Sequence, residues 1–119
     1  MKIVEFLENY NLHDSVVESI TFYQNEKRVV MDMDLCNWLQ SFYEDGDPEI
    51  KVGQLEFTEV ISFKTEPKVF TINSNEIIDV SVLRIGSENE TVKFVLTSEE
   101  DVIIVEIEAE GVDWFECVN

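Results

Sequence analysis

The chain is 119 residues long and 45% hydrophobic, which is typical of one folded domain rather than of a disordered segment. Its 26 Asp and Glu residues against 8 Lys and Arg residues give a formal net charge of −18. Nucleic acids and anionic membranes bind proteins through Lys and Arg, so this charge argues against both partners. We therefore expect a single acidic domain over residues 1–119.

The first predicted elements are a short helix and a β-hairpin. In Lys2–Tyr10 the apolar residues recur at the spacing of one helical face, which predicts an N-terminal helix. Val17–Gln24 and Arg28–Leu35 are rich in strand-forming residues and flank a three-residue polar segment, so they predict a hairpin. In the second strand the odd-numbered positions are apolar, whereas Asp32 and Asp34 fall on the opposite face.

The rest of the chain alternates between strand and turn patterns. Asp45-Gly46-Asp47-Pro48 is the strongest turn signal. Strands are predicted over Leu55–Thr65, Lys68–Ile72, Thr91–Thr97 and Val102–Ala109, the last two as a hairpin. Ile77–Ile85 fits a strand or a helix, and Gly111 interrupts the pattern before the last aromatic residues. With about six or seven strands and a short N-terminal helix, the predicted class is α+β, predominantly antiparallel β-sheet.

The N-terminal residues and the cysteine spacing both bear on the cellular compartment of the protein. No basic segment followed by an apolar one opens the chain, and no apolar run approaches the roughly 18–20 residues that a membrane span needs. Cys36 and Cys117 are the only cysteines and have no C-x-x-C spacing, so they are not a disulfide framework. We expect a cytoplasmic location, and the sequence leaves a single disulfide between the two open.

His13, Asp14 and Ser15 are the three residue types of a hydrolase triad in a row. On an extended segment His13 and Ser15 would lie roughly 6.6 Å apart on one face, with Asp14 on the other. A triad needs successive hydrogen bonds between its members, which folds obtain from separate segments. We therefore predict that Asp14 and Ser15 turn or cap the backbone between the helix and the first strand.

No metal and no cofactor is predicted. After Asp32 and Asp34, a calcium loop would require a third oxygen ligand where Cys36 stands. One histidine and two cysteines without metal-site spacing do not predict zinc, and the four glycines form no phosphate loop. With 26 acidic residues no carboxylate pair stands out, so we expect no enzymatic activity; a small carboxylate hydrolase is the weakest alternative.

Two long regions contain no Lys or Arg, and each contains one of the two tryptophans: Trp38 in residues 29–50 and Trp114 in residues 94–119. Large aromatic residues among charges of one sign are the composition of an interaction hot spot. The alternative interpretation is that each tryptophan closes one end of the core. The predicted partner-binding residues are Asp32, Asp34, Trp38, Asp45, Asp47, Asp113 and Trp114.

The segment Asn11-Leu12-His13-Asp14-Ser15, followed by a hairpin that ends Met31-Asp32-Met33-Asp34-Leu35, resembles a group of small acidic bacterial proteins. These proteins share a Leu-His-Asp-Ser start and a β-rich body, and some are predicted immunity proteins of polymorphic toxin systems. The resemblance covers roughly the first half of the chain. It implies a bacterial cytoplasmic protein and a toxin-neutralising role.

The functional hypothesis is an acidic binding protein that sequesters a basic protein partner, such as a toxin domain. Nuclease toxins are basic because they bind phosphate, and an acidic inhibitor associates fast with such a surface through electrostatic steering. The alternative hypothesis is a structural or regulatory interaction module whose acidity serves solubility only.

Overall fold

One α-helix, eight strands and two short 3₁₀ helices make up the fold, in a computed structural model that describes residues 1–99 and 101–117. The 3₁₀ helices are Gln24–Glu26 and Asn37–Leu39. In chain order the α-helix and the strands are α1 (Ile3–Asn9), β1 (Val16–Tyr23), β2 (Arg28–Cys36), β3 (Ile50–Thr58), β4 (Ser62–Glu66), β5 (Asn75–Ile85), β6 (Glu90–Thr97), β7 (Val102–Ala109) and β8 (Gly111–Glu116). This arrangement confirms the predicted α+β class, the N-terminal helix and both hairpins. Within the described ranges, no helix has the length and apolar character to cross a membrane.

All eight strands belong to one antiparallel sheet in the order β4-β7-β6-β5-β1-β2-β3-β8. The sheet has two halves, β1-β2-β3-β8 and β4-β7-β6-β5. The register of β1 with β5 joins them through two residue pairs, Val16 with Glu76 and Val17 with Asn75. The sheet folds back on itself, because Phe57 of β3 contacts Phe94 of β6 with ring centroids 6.0 Å apart. Each half therefore has an inner face in the core and an outer face toward solvent.

The core follows from the alternation of apolar residues along the strands. The odd-numbered residues of β2, from Val29 to Leu35, are at most 1% exposed. Alternate residues of β6 and β7 are buried in the same way. Helix α1 contributes Ile3 and Phe6 to this core and packs against β6 and β8.

The predicted strand Leu55–Thr65 is two strands rather than one. Glu59 has a left-handed φ of 50°, and here the chain leaves the first half of the sheet and enters the second. The turn shifts the alternation by one residue, so that Val60 is buried and Ile61 is 56% exposed. The residues around this turn include the apolar Val60 and Ile61 and no glycine or proline, so the sequence carries no turn signal here. The pattern therefore predicted one strand.

Two further predictions need correction, and one open alternative is settled. Lys68–Ile72 forms no strand, whereas Ile77–Ile85 lies within the long strand β5. Gly111 does not end the sheet but begins β8, which pairs with β3 along its whole length. The described sheet therefore contains eight strands, slightly more than the predicted six or seven.

Candidate partner-binding face

The outer face of the half-sheet β1-β2-β3-β8 collects acidic residues from three strands. Cross-strand partners point to the same side of a sheet, so the pairing register defines rows of side chains. The rows are Thr21–Val30–Glu56–Asp113, Ser19–Asp32–Gln54–Phe115 and Val16–Asp34–Val52. We call these three rows the acidic face. Neighbouring strands are about 4.8 Å apart, so β2 and β8, on either side of β3, are separated by about 10 Å.

Asp32 lies at the centre of the acidic face and is held in a fixed orientation. Its carboxylate accepts hydrogen bonds from the Ser19 hydroxyl of β1 and, at 2.8 Å, from the Gln54 side-chain amide of β3. A carboxylate held by two donors loses little conformational entropy when a cation binds.

Asp34 is the next residue on the same face, about 6.6 Å further along β2. Its carboxylate is half-buried between the cross-strand neighbours Val16 and Val52. Burial raises the pKa of the Asp34 carboxyl above its ordinary value, and the negative charge of Glu18 raises this pKa further. A cation from a partner would offset both effects, because an opposite charge favours the ionised carboxylate.

The structure separates the two neighbouring predicted residues of β8. Asp113 lies on the acidic face opposite Glu56, and its Oδ1 is 3.5 Å from the N-terminal amine. Trp114 lies on the inner face opposite Leu55 and packs against the core. Phe115, not Trp114, presents its ring on the acidic face, and it is 52% exposed.

The remaining predicted residues lie in the loop between β2 and β3, at one end of the acidic face. Trp38 follows β2 and is 51% exposed, and its backbone N–H donates to the Glu49 carbonyl at 3.2 Å. Asp45 and Asp47 are exposed at the predicted turn. The Asp47 carboxylate accepts the Glu44 backbone N–H at 3.0 Å, which orders this turn.

Sequence reasoning did not name eight residues of the acidic face, and four of these lie on β3 and β8. Val52, Gln54 and Glu56 belong to β3, and their side was fixed only by pairing with β2. Phe115 carried a usable signal, since alternation places it on the same side as Asp113 and opposite Trp114. Glu56 adds little free charge, because its Oε1 lies 3.3 Å from the Arg28 guanidinium.

The His13-Asp14-Ser15 segment forms a turn, as predicted. Asp14 adopts a left-handed φ of 67°, and the Ser15 N–H donates to the Leu12 carbonyl. The turn brings His13 Nδ1 to 2.9 Å from Asp14 Oδ1, which an extended segment would not allow. Ser15 is fully buried, and its hydroxyl accepts the Cys36 N–H at 2.9 Å. A hydroxyl so placed is closed to substrate, so these residues do not form a nucleophile site.

The two cysteines are unpaired, which settles the disulfide left open by the sequence. Burial raises the pKa of the Cys36 thiol, with a further increase from the negative charge of Asp14, so Cys36 is a poor nucleophile. Within residues 1–99 and 101–117, no three His, Cys, Asp or Glu side chains are grouped closely enough to hold a metal ion.

The outer face of the other half-sheet carries both signs of charge. One row crosses it as Lys64–Glu106–Lys93–Ser81, with an acid between two lysines. Lys64 and Lys93, together with Lys68, line an open groove of about 740 Å³ beside Phe63 and Ile104. The middle and last rows of the acidic face contain no cation, so the two outer faces of the molecule differ in charge.

Comparison with known proteins identifies the fold and nothing finer. No protein-family model matches the chain, and no curated protein matches it. Among solved structures, the chain is similar to the crystal structure of an uncharacterized protein from Neisseria gonorrhoeae, with a TM-score of 0.50 and 13% identity over 87% of this chain and 92% of that one. At this identity the similarity concerns the fold alone.

Proposed function

We propose that the protein binds a basic protein partner through the acidic face and thereby blocks that partner, as an immunity protein blocks a toxin domain. The observation that carries this proposal is the gathering of Asp32, Asp34 and Asp113 on one face with the exposed side chains of Phe115 and Val52. A net charge of −18 adds a long-range field that accelerates encounter with a basic protein.

The exposed apolar residues of the acidic face would supply affinity that surface charges alone do not. Surface ion pairs contribute little to affinity, whereas an aromatic side chain that becomes fully buried dominates many interfaces. Phe115 lies in the same row as the oriented carboxylate of Asp32. On this proposal Phe115 is the central contact, and the acids around it select a cationic surface.

The proposal also includes that the protein is a binding protein rather than an enzyme and that it acts in the cytoplasm. The one histidine lies on an exposed turn, and the neighbouring serine hydroxyl is buried and already hydrogen-bonded. Both cysteines are free thiols, as a reducing compartment requires.

The alternative is an interaction module whose acidity serves solubility only. It is favoured by acids on the other outer face, among them Asp79 and Glu66. The two proposals differ in where charge matters: partner binding depends on the acids of one face, whereas solubility depends on their total number.

Co-purification with the product of the neighbouring gene tests the proposal. We expect a complex whose affinity falls roughly tenfold or more in the double variant Asp34→Asn, Asp113→Asn. The matched control, Asp79→Asn with Glu66→Gln, removes the same charge from the other outer face and should leave affinity nearly unchanged. Equal losses in both double variants, or no complex with the wild type, would contradict the proposal.

A further inference from the structure

Strand β8 ends the sheet, so one of its two edges pairs with no other strand. The direction of its backbone groups follows from two hydrogen bonds. The Cys117 N–H donates to the Val52 carbonyl of β3, whereas the Val112 N–H donates to the Met1 carbonyl on the other side. Backbone groups alternate in direction along a strand, and the β3–β8 register contains no bulge. The N–H and C=O groups of Trp114 and Glu116 therefore point outward, away from β3.

This outward edge is open beyond its first residues. Met1 occupies the position beside Val112, and α1 is the other element that packs against β8. Within residues 1–99 and 101–117, the backbone N–H groups of Trp114 and Glu116 have no hydrogen-bond acceptor. Unpaired groups of this kind are a template for the addition of another strand.

We propose that the open edge of β8 accepts an extended strand of the basic partner, which continues the sheet beyond Met1 by pairing with Trp114 and Glu116. This inference rests on the proposed function, since it names how that partner is bound. The added strand would lie beside Asp113 and Phe115 on the acidic face, so the edge and the acidic face form one continuous surface.

Charge determines which strand fits the edge. Opposite charges directly across a strand pair are favourable, and like charges are unfavourable. Lysine or arginine therefore fits opposite Asp113 and Glu116, and an apolar residue fits opposite Phe115. The N-terminal amine already places a positive charge 3.5 Å from Asp113. A second copy of this chain, with its own acidic β8, would be repelled from the same edge.

A synthetic peptide tests strand addition directly. The probe is a nine-residue capped peptide of three Lys-Val-Val repeats, whose Lys-Val-Val-Lys spacing fits residues 113–116. Its control carries the same side chains on a fully N-methylated backbone, which has no N–H donors and whose methyl groups prevent the close approach of two strands. We expect the probe to slow amide hydrogen exchange of Trp114 and Glu116 about tenfold or more at saturation, and the control to leave it unchanged. Unchanged exchange with the saturating probe, or equal effects of both peptides, would overturn the inference.

Two variants at one position separate the backbone from the charge. Glu116→Pro removes an outward N–H and leaves the bonds to β3 intact, which an edge strand tolerates. Glu116→Ala removes the same carboxylate and keeps the N–H. We expect the proline variant to bind the probe at least several-fold more weakly than the alanine variant. Equal binding by both, together with loss of binding in Asp34→Asn, Asp113→Asn, would overturn strand addition and leave the proposed function standing.

Discussion

Ser15 shows how a residue typical of catalysis in the sequence becomes structural in the fold. Its hydroxyl accepts the N–H of Cys36 at the end of β2, and its backbone carbonyl accepts the N–H of Ile77 in β5. One residue therefore connects the segment before β1 to strands in both halves of the sheet. The turn itself could be predicted from composition, whereas these partners, 21 and 62 positions away, could not.

Replacement of Ser15 by alanine should lower the free energy of unfolding by about 1–3 kcal/mol, because it leaves the buried Cys36 N–H without an acceptor. Urea unfolding monitored by circular dichroism measures this change. Ser41→Ala, at an exposed position, is the control and should shift stability by less than about 0.5 kcal/mol. A loss in Ser15→Ala no larger than in the control would contradict the structural role.

On the proposed function, Asp34 favours partner binding at the expense of the stability of the free protein. Burial and the charge of Glu18 raise its pKa, so the folded chain binds this proton more tightly than the unfolded chain. Stability therefore falls as the pH rises through the interval between the ordinary and the raised pKa, and it is regained as the pH falls. Above that interval the raised pKa lowers the stability of the free protein, and on the proposed function a cation from the partner would offset this loss.

We accordingly expect Asp34→Asn to be more stable than the wild type at pH 7 and to lose this advantage as the pH falls below the ordinary range of an aspartate. Thermal unfolding measured between about pH 3 and pH 8 tests the sign. Asp45→Asn, at an exposed loop position, is the matched control for the loss of one charge. A destabilised Asp34→Asn protein at pH 7 would contradict the assignment.

At the scale of elements, strands that follow a local alternation could be predicted and strands defined by distant pairing could not. The hairpin of β1 and β2 follows from its own residues, as does that of β6 and β7. In contrast, β8 depends on β3, more than 50 positions earlier in the chain. Once β8 is known to be a strand, alternation alone divides Asp113 and Trp114 between its two faces, and the pairing with β3 decides which face is the outer one. The sequence-based prediction placed both residues on one face because it did not identify this strand.

The attachment of β8 requires the glycine at position 53. A Cβ atom there would lie 2.4 Å from the Phe115 carbonyl oxygen and 2.6 Å from the Trp114 ring. Since the first of these atoms is backbone, β8 would have to move. Gly53 therefore allows the Trp114 ring to pack over β3 and holds Phe115 in its row.

Gly53→Ala should therefore destabilise the protein by about 1–3 kcal/mol, the usual cost of overpacking, and should loosen β8 before the rest of the sheet. Amide hydrogen exchange resolved along the chain measures this, with faster exchange expected for the β8 amides that point toward β3. Val52→Ala, at the neighbouring and 55% exposed position, is the control. Unchanged exchange in β8 of the glycine variant would contradict this packing.

At the scale of the whole molecule, the net charge conceals a difference between the two outer faces. The acidic face groups Asp32 and Asp34 without a cation in their rows, whereas the opposite face alternates Lys64, Glu106 and Lys93. The sequence indicated two regions without basic residues but not their relative position. In the fold, β2 and β8 lie on either side of β3, while β6 and β7 of the second region belong to the other half-sheet.

The rate of association with the basic partner, measured by stopped flow at increasing ionic strength, tests the central claim most directly. We predict a steep fall in this rate between about 50 and 500 mM salt, with a weaker salt dependence in Asp34→Asn, Asp113→Asn than in Asp79→Asn, Glu66→Gln. A rate that stays flat over this range, or an equal salt dependence in the two double variants, would contradict the claim that one acidic face directs binding.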